Sequence, residues 1–360
     1  TGRGRTPFAG NIVPASRFDP VVAKLLPHFP AVSNPNATQL NNFVSQGQVY
    51  NLHKIDTKVD YTATPKLRIS GRYGYQPYYN LQQPIYGDYL GGSGGFPSAG
   101  AGNYLQHGAT LAISSSATYI VSPTFVIDAT FGATQGHQLL FPTGSDQRQG
   151  ADLGIPGANT GPLPWAGGLP NFAIANYTTL GYSYPALEYK DPIFEWTGNG
   201  TKTVGSHTIR FGLDILREHQ NHIEVRPTIF TFSGNATALN GGPGANQYNS
   251  VADFLLGTAT TLGNYVQYVY PLTLRTSELA FYVRDQYQVN RKLTVNYGVR
   301  YEKYPVPREA NKGLNIYNIA TNTISICGAA AIPADCGIHV SNKLFAPSVG
   351  IAYRPFENLV

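Results

Sequence analysis

Few residues in this 360-residue chain have types and spacings suited to chemistry. His219 and His222, in the run HQNH, offer two imidazoles close enough in sequence to approach one metal ion. Two histidines fall short of the three protein ligands of a catalytic zinc, and the run reads as solvated loop just past a strand end. Gly91-Gly92-Ser93-Gly94-Gly95 has the composition of a phosphate loop, but it does not join a strand to a helix and reads as plain loop. G-x-S-x-G, H-E-x-x-H and P-loop patterns are all missing from the sequence. The expectation is a chain that is not an enzyme and that carries no cofactor or metal. Cys327 and Cys336, in ICGAAAIPADCGI, predict a local disulfide and hence an oxidising compartment, two free thiols being the alternative.

Two further groups suit binding. Arg68, Arg72, Asp214, Arg284, Arg300 and Glu302 all fall on the polar face of alternating segments. They read as wall ion pairs lining a wet lumen, with a substrate path as the second reading. Aromatic residues gather between those segments: Tyr78, Tyr79, Tyr86 and Tyr89 in one stretch, Trp165, Phe172, Tyr177, Tyr182, Tyr184 in another. Of these, Tyr78, Tyr79, Trp165, Tyr182 and Tyr184 are the candidate substrate contacts, since rings suit sugars, peptides and aromatic chelators. Loop self-packing and an interfacial aromatic girdle compete with that reading.

The elements that must position these residues are long alternating strands. In KLTVNYGVRYEK, Leu293, Val295, Tyr297, Val299 and Tyr301 share one side, and Lys292, Arg300 and Glu302 share the other. Four such pairs recur, turning at Thr64-Pro65, Ser122-Pro123, Gly205-Ser206 and Asn290-Arg291. VRPTIFTFSG, TLGNYVQYVYPL and KLFAPSVGIAYRP read as three further strands, for about eleven in all. The strands run to about 10–14 residues, and at a tilt near 40° about twelve residues cross roughly 30 Å, the thickness of a bilayer's hydrocarbon. The long connections 77–107, 136–187 and 304–343 fall on one side and the short turns on the other. Asp285 shares the apolar face with Phe281 and Val283, a placement tolerable near the interface by the turn.

Composition agrees. Charged residues are 12% of the chain, about half the usual share, while 25 Tyr, 39 Gly and 26 Pro suit strands and loops. The net charge of +5 is spread without a basic run, which argues against nucleic acid. The fold class is therefore an all-β, antiparallel transmembrane β-barrel with long extracellular loops, in the cell outer membrane and in contact with its lipid. Residues 1–49 form an extracellular loop segment with a short helix from Asp19-Pro20 to Leu26, and residues 50–360 a partial barrel. SVADFLLG reads as a short helix capped by Ser250 and ended by Gly257. The lack of any Met suggests an internal fragment or a processed piece.

NIVPASRFDPVVAKLLPHFP, KIDTKVDYTATPKLRISGRYGY, HTIRFGLDILRE, SVADFLLG, ELAFYVRDQYQVNRKLTVNYGVRYEKY and KLFAPSVGIAYRP follow one another in an ordered series. The series resembles Oar-like TonB-dependent outer-membrane receptors of the Acidobacteria type. The resemblance implies a barrel of about 22 or more strands, of which this is an internal part, with a plug domain and terminal strands not included. It implies TonB–ExbB–ExbD as partner through the plug, and uptake of an unknown large, scarce extracellular substrate such as a siderophore, oligosaccharide or peptide. A surface adhesion or structural barrel is the alternative.

Overall fold

A computed structural model describes all residues except 1–4, 39–40, 46, 93–103, 162, 164, 183–185, 240–244, 266, 268, 311–313 and 357–360. The wall and its additions are built from β1 (Gln48–Leu52), β2 (Ile55–Thr64), β3 (Leu67–Gln82), β4 (Tyr104–Ser122) and β5 (Phe125–Pro142). After β6 (Asn171–Ile174) come β7 (Ala186–Val204) and β8 (His207–Val225), then β9 (Ile229–Phe232) and β10 (Thr261–Gly263). The wall resumes with β11 (Leu272–Asn290) and β12 (Leu293–Lys303), followed by β13 (Arg308–Glu309), β14 (Asn315–Asn318), β15 (Thr323–Ile326) and β16 (Phe345–Tyr353). Among the described residues α1 (Pro20–Leu25) precedes β1, and α2 (Gly87–Leu90), α3 (Gln149–Asp152) and α4 (Gln247–Leu255) lie between strands.

Eleven strands make one antiparallel sheet in the order β1-β3-β4-β5-β7-β8-β11-β12-β16, with β2 also on β3 and β13 also on β11. Among the described residues this sheet does not close on itself, as expected of a partial barrel. The register keeps the two faces unmixed across it. Gly198, Leu213, Phe281, Tyr301 and Phe345 lie side by side on one face, and Asp128, Asn199, Gly212 and Tyr282 on the other. A slip of one residue at any pairing would put charges among the apolar rings, so the alternation fixes the register. The apolar side chains stay open to the surroundings: Phe281 is 45% and Val349 76% exposed. For a membrane wall that is the expected state, since hydrocarbon completes the packing.

The count of eleven matches the sequence reading, but the membership differs. VRPTIFTFSG and TLGNYVQYVYPL are not wall strands. β9 and β10 are short and pair with β6 in a separate three-stranded sheet, while β8 pairs directly with β11. The wall strands also outrun the expected 10–14 residues, for β4, β7, β8 and β11 have 19 each. At about 3.3 Å per residue and a tilt near 40°, that is about 48 Å of height, well beyond the hydrocarbon. Pairing therefore continues into water on the loop side. There both faces meet solvent or protein, and the two-residue alternation that marks the membrane part fades.

A hydrophobic core of buried residues sits within the connections. Val22 and Leu25 of α1, Leu90 of α2, Leu153, Leu169, Phe172 and Ile174, Leu180, Phe232 and Phe254 pack together. Each comes from a piece too short to bury its own apolar face, and the pieces are stable only as a group. Asp19 caps α1 by accepting from the Val21 amide at 2.8 Å, with Pro20 at the first helical position. The cap of α4 is not Ser250. Asn246 accepts from the amides of Tyr248 and Asn249 at 3.0 and 3.2 Å, and Asn249 accepts in return from the Asn246 amide. Ser250 is buried inside the helix and donates to the Ala175 carbonyl at 2.7 Å. Gly257, at φ +66°, ends the segment as expected.

Candidate functional site: the loop cap and its cleft

The cap joins four separate stretches of chain. Lys24 donates from Nζ to the carbonyls of Asp152 and Leu153 at 3.3 and 3.1 Å, and the Asp19 amide donates to the Leu255 carbonyl at 2.9 Å. His28 stacks on Tyr89 with ring centroids 3.7 Å apart, and Gly91 bridges Gly181. The parallel pair β6–β9 ties the connection after β5 to that after β8. The stretch before the first wall strand is thus part of the same folded unit as the loops.

Two of the five aromatic candidates, Trp165 and Tyr182, pack within the loops. Tyr78 and Tyr79 are not loop residues: they lie in β3, opposite Gly108 and His107, and as strand neighbours they point to opposite faces. Tyr182 is 3% exposed and donates its hydroxyl to the Gly167 carbonyl at 2.8 Å. Burial raises its pKa well above the ordinary tyrosine value. Trp165 packs against Phe141 at 5.4 Å. Tyr184 lies outside the described residues. Trp165, Tyr182 and Phe172 thus take part in loop packing, because rings are the largest apolar groups these loops have to build a core from, while Tyr79 and Tyr177 are exposed.

Between residues 157–161 and 166–168 on one side and the connection after β8 on the other lies a cleft of about 280 Å³. Its lining includes Gly167, Gly168, Arg226, Asn264, Tyr265 and Tyr270, with Tyr182 at one wall. The Arg226 guanidinium stands 5.5 Å from the centroid of the Tyr265 ring. Arg226 also pairs with Glu224, Nε donating to Oε1 at 2.7 Å and Nη2 lying 2.5 Å away, while Tyr189 donates to the second Glu224 oxygen at 3.2 Å. Desolvation, then the Glu224 charge, raise the Tyr265 pKa. Arg226, Tyr265 and Tyr270 had no sequence signal as a site. The alternation in TLGNYVQYVYPL imitates a wall strand, and only the direct β8–β11 pairing releases those residues to the cap.

The lumen candidates share the polar face of the sheet. Arg72 pairs with Asp56 at 2.5 Å and Arg300 with Glu302 at 2.5 Å, Glu302 accepting as well from the Tyr304 hydroxyl at 2.7 Å. Asp214 lines a small recess with Arg300 and Tyr304. Arg68 is paired through its backbone with Thr62 and Thr118, and its side chain forms no ion pair with another described residue. A chain of hydrogen bonds crosses four strands nearby: Tyr282 donates to Asn199 Oδ1 and Asn199 to Asp128 Oδ2, each at 2.9 Å. Gly212 makes room for it, since a Cβ there would meet Tyr282 Cε1 at 2.5 Å. On the apolar face Asp285 is held by the first residue after the short turn, accepting from His207 Nδ1 at 2.6 Å and from the Tyr297 hydroxyl at 2.7 Å.

His219 and His222 lie inside β8 and not past its end. Three positions apart on a strand they face opposite ways, so they cannot share a metal. His222 instead stacks on Tyr189 at 4.0 Å and contacts Asp191 at 3.0 Å. Among the described residues no three His, Cys, Asp or Glu side chains group as metal ligands. Gly91 and Gly92 follow α2, and 93–95 lie outside the described residues. Cys327 and Cys336 are joined by a disulfide in the connection between β12 and β16.

The sequence model of a family described as "Outer membrane beta barrel domain" matches residues 1–360. No curated protein matches the sequence. Among solved structures, the ferric-catecholate import receptor Fiu from E. coli K12, in its closed form, is 13% identical with a TM-score of 0.41, 86% of this chain covering 42% of that one. The RagAB peptide transporter is 11% identical with a TM-score of 0.37, 73% of this chain covering 29% of that one. The chain spans less than half the length of these structures.

Proposed function

The chain belongs to the outer membrane beta-barrel domain family, and from that premise we propose that it is part of a TonB-dependent receptor. In this reading it lies in the cell outer membrane and takes up a large, scarce substrate: a siderophore, an oligosaccharide or a peptide. Uptake is driven by the TonB–ExbB–ExbD complex, and the chain performs no enzymatic step. The observation that carries the reading is the folded cap. Four stretches of chain converge on one core at one end of the wall and leave a cleft lined by hydrogen-bonding groups. An adhesin needs only an outward surface, whereas a preorganised concave site suits capture of a soluble ligand.

The test is competitive growth of cells with and without the gene, on siderophores, glycans or peptides as the sole source of iron, carbon or nitrogen. The gene should confer an advantage on one of these only while TonB is intact. An advantage that persists after deletion of TonB, or that shows only as surface attachment, would sink the transport reading.

A further inference from the structure

We propose that the cleft between residues 157–161 and 166–168 and the connection after β8 binds a neutral sugar ring, as the end of an oligosaccharide. The inference rests on reading the cap as the capture face of an uptake receptor. At about 280 Å³ the cleft falls just below the roughly 300–1,000 Å³ usual for ligand sites, the size of a small ring and not of a bulky chelate.

Its electrostatics select against ions. Arg226 is the charged residue in the lining, and Glu224 already compensates it through two contacts to Oε1. An anionic ligand would have to compete with that carboxylate, and a cation would meet the guanidinium first. A neutral hydroxyl can accept from the guanidinium without displacing Glu224, which stands behind the lining.

The shape of the surface fits a sugar equally well. Tyr265 is 46% exposed and its ring is held by the guanidinium at one face, and Tyr270 stands in the same lining. Such rings stack on the C–H face of a sugar while its hydroxyls reach polar groups. The wall behind them is fixed in advance. Asn159 donates to the carbonyls of Ala166 and Gly168 at 3.3 and 3.1 Å and accepts from the Ala151 amide at 3.1 Å, which locks the glycine-rich wall. Gly168 is at φ +88°, where a Cβ would meet Tyr182 Cε1 at 2.6 Å, and a Cβ on Gly167 would lie 2.1 Å from the Gln147 carbonyl oxygen, so only glycine lets this wall pack so closely. A site already ordered loses less entropy on binding.

The experiment uses the protein extracted from outer membranes into detergent, titrated calorimetrically with maltohexaose, cellohexaose, xylohexaose and an acidic oligogalacturonate. Saturation-transfer NMR reports which sugar protons touch it. At least one neutral oligosaccharide should bind, and Tyr265→Ala and Arg226→Ala should each weaken it by about tenfold or more. Tyr317→Ala, in the β14–β15 hairpin, should change nothing. Both test positions are surface-exposed, so the variants should keep the heat-modifiable mobility of the parent barrel. Absence of binding for all neutral probes up to about 10 mM, affinity indifferent to both variants, or tighter binding of the acidic probe would each overturn the assignment. TonB-dependent growth without sugar binding would fail the cleft alone. Sugar binding with TonB-independent growth would fail the transport reading alone.

Discussion

Truncating Phe254 to alanine separates the two kinds of packing in this protein. Phe254 is 2% exposed, meeting Phe232 edge-on at 5.4 Å and Phe172 at 6.0 Å. It is the apolar anchor of α4, which at nine residues does not hold its helix alone. Removing a buried phenyl ring costs about 3–5 kcal/mol, the transfer term plus the cavity it leaves. Leu213→Ala deletes a comparable group from the apolar face of the wall, where Leu213 is 39% exposed. Lipid chains fill the space there, no cavity remains, and the cost should stay below about 1 kcal/mol. Hydrogen exchange in detergent reads both. At about 1.4 kcal/mol per decade, Phe254→Ala should lower protection of the Phe172 and Leu180 amides by about two to four decades. Those amides bond across the β6 bridge at 3.1 Å each. Amides of β8 and β11 should keep theirs, and heat-modifiable mobility should persist. If cap and wall lose protection together, or if Leu213→Ala is as costly as Phe254→Ala, the division into a self-packed cap and a lipid-packed wall is wrong.

Other consequences are as direct. His207→Ala should destabilise the barrel by about 1–3 kcal/mol in urea titrations in vesicles, because Asp285 loses one of its two side-chain partners on the apolar face; His207→Ala with Asp285→Ala should recover most of that. Gly212→Ala should break the Tyr282–Asn199 hydrogen bond and cost about 1–3 kcal/mol by crowding, while Gly132→Ala, with open space at its Cβ, should cost little in the same titration. Tyr182 should ionise at a higher pH than an ordinary exposed tyrosine in an ultraviolet titration. Its folded pKa is raised, so its contribution to cap stability is complete below the ordinary value of 10.0 and declines as pH climbs above it, visible as rising exchange at Gly167. Reducing the Cys327–Cys336 bond should speed proteolysis within 315–336 and leave the wall strands protected.

How much of this was legible in the sequence depends on the environment of each segment. Membrane-embedded strands write their surroundings into alternate residues, because a charge toward lipid costs about 2–4 kcal/mol at the midplane. The four hairpins, the polar face with Arg72, Arg300 and Glu302, and the anomaly at Asp285 were all readable on that ground. Strand ends beyond the membrane were not, since backbone pairing there is indifferent to which side chain faces water; β8 runs through His219 and His222 for that reason. The cap was least legible. Its core draws single residues from stretches as far apart as Val22 and Phe254, and no local period records which of them will meet.

The sequence by itself determined the wall: its strand directions, its two faces, its turns and the side on which long connections emerge. Each follows from a local rule of two-residue alternation and turn chemistry. Only the tertiary structure decided which strands belong to that wall and what the loops do. The same alternation in TFSG-like and NYVQY-like stretches serves a membrane strand or a small loop sheet equally well, and the choice is made by the partner. β8 takes β11 as its neighbour because their apolar and polar faces match over sixteen paired positions, from Leu272–His222 to Tyr287–His207. That non-local match leaves Arg226, Tyr265 and Tyr270 to the cap, where they form a cleft instead of a piece of wall.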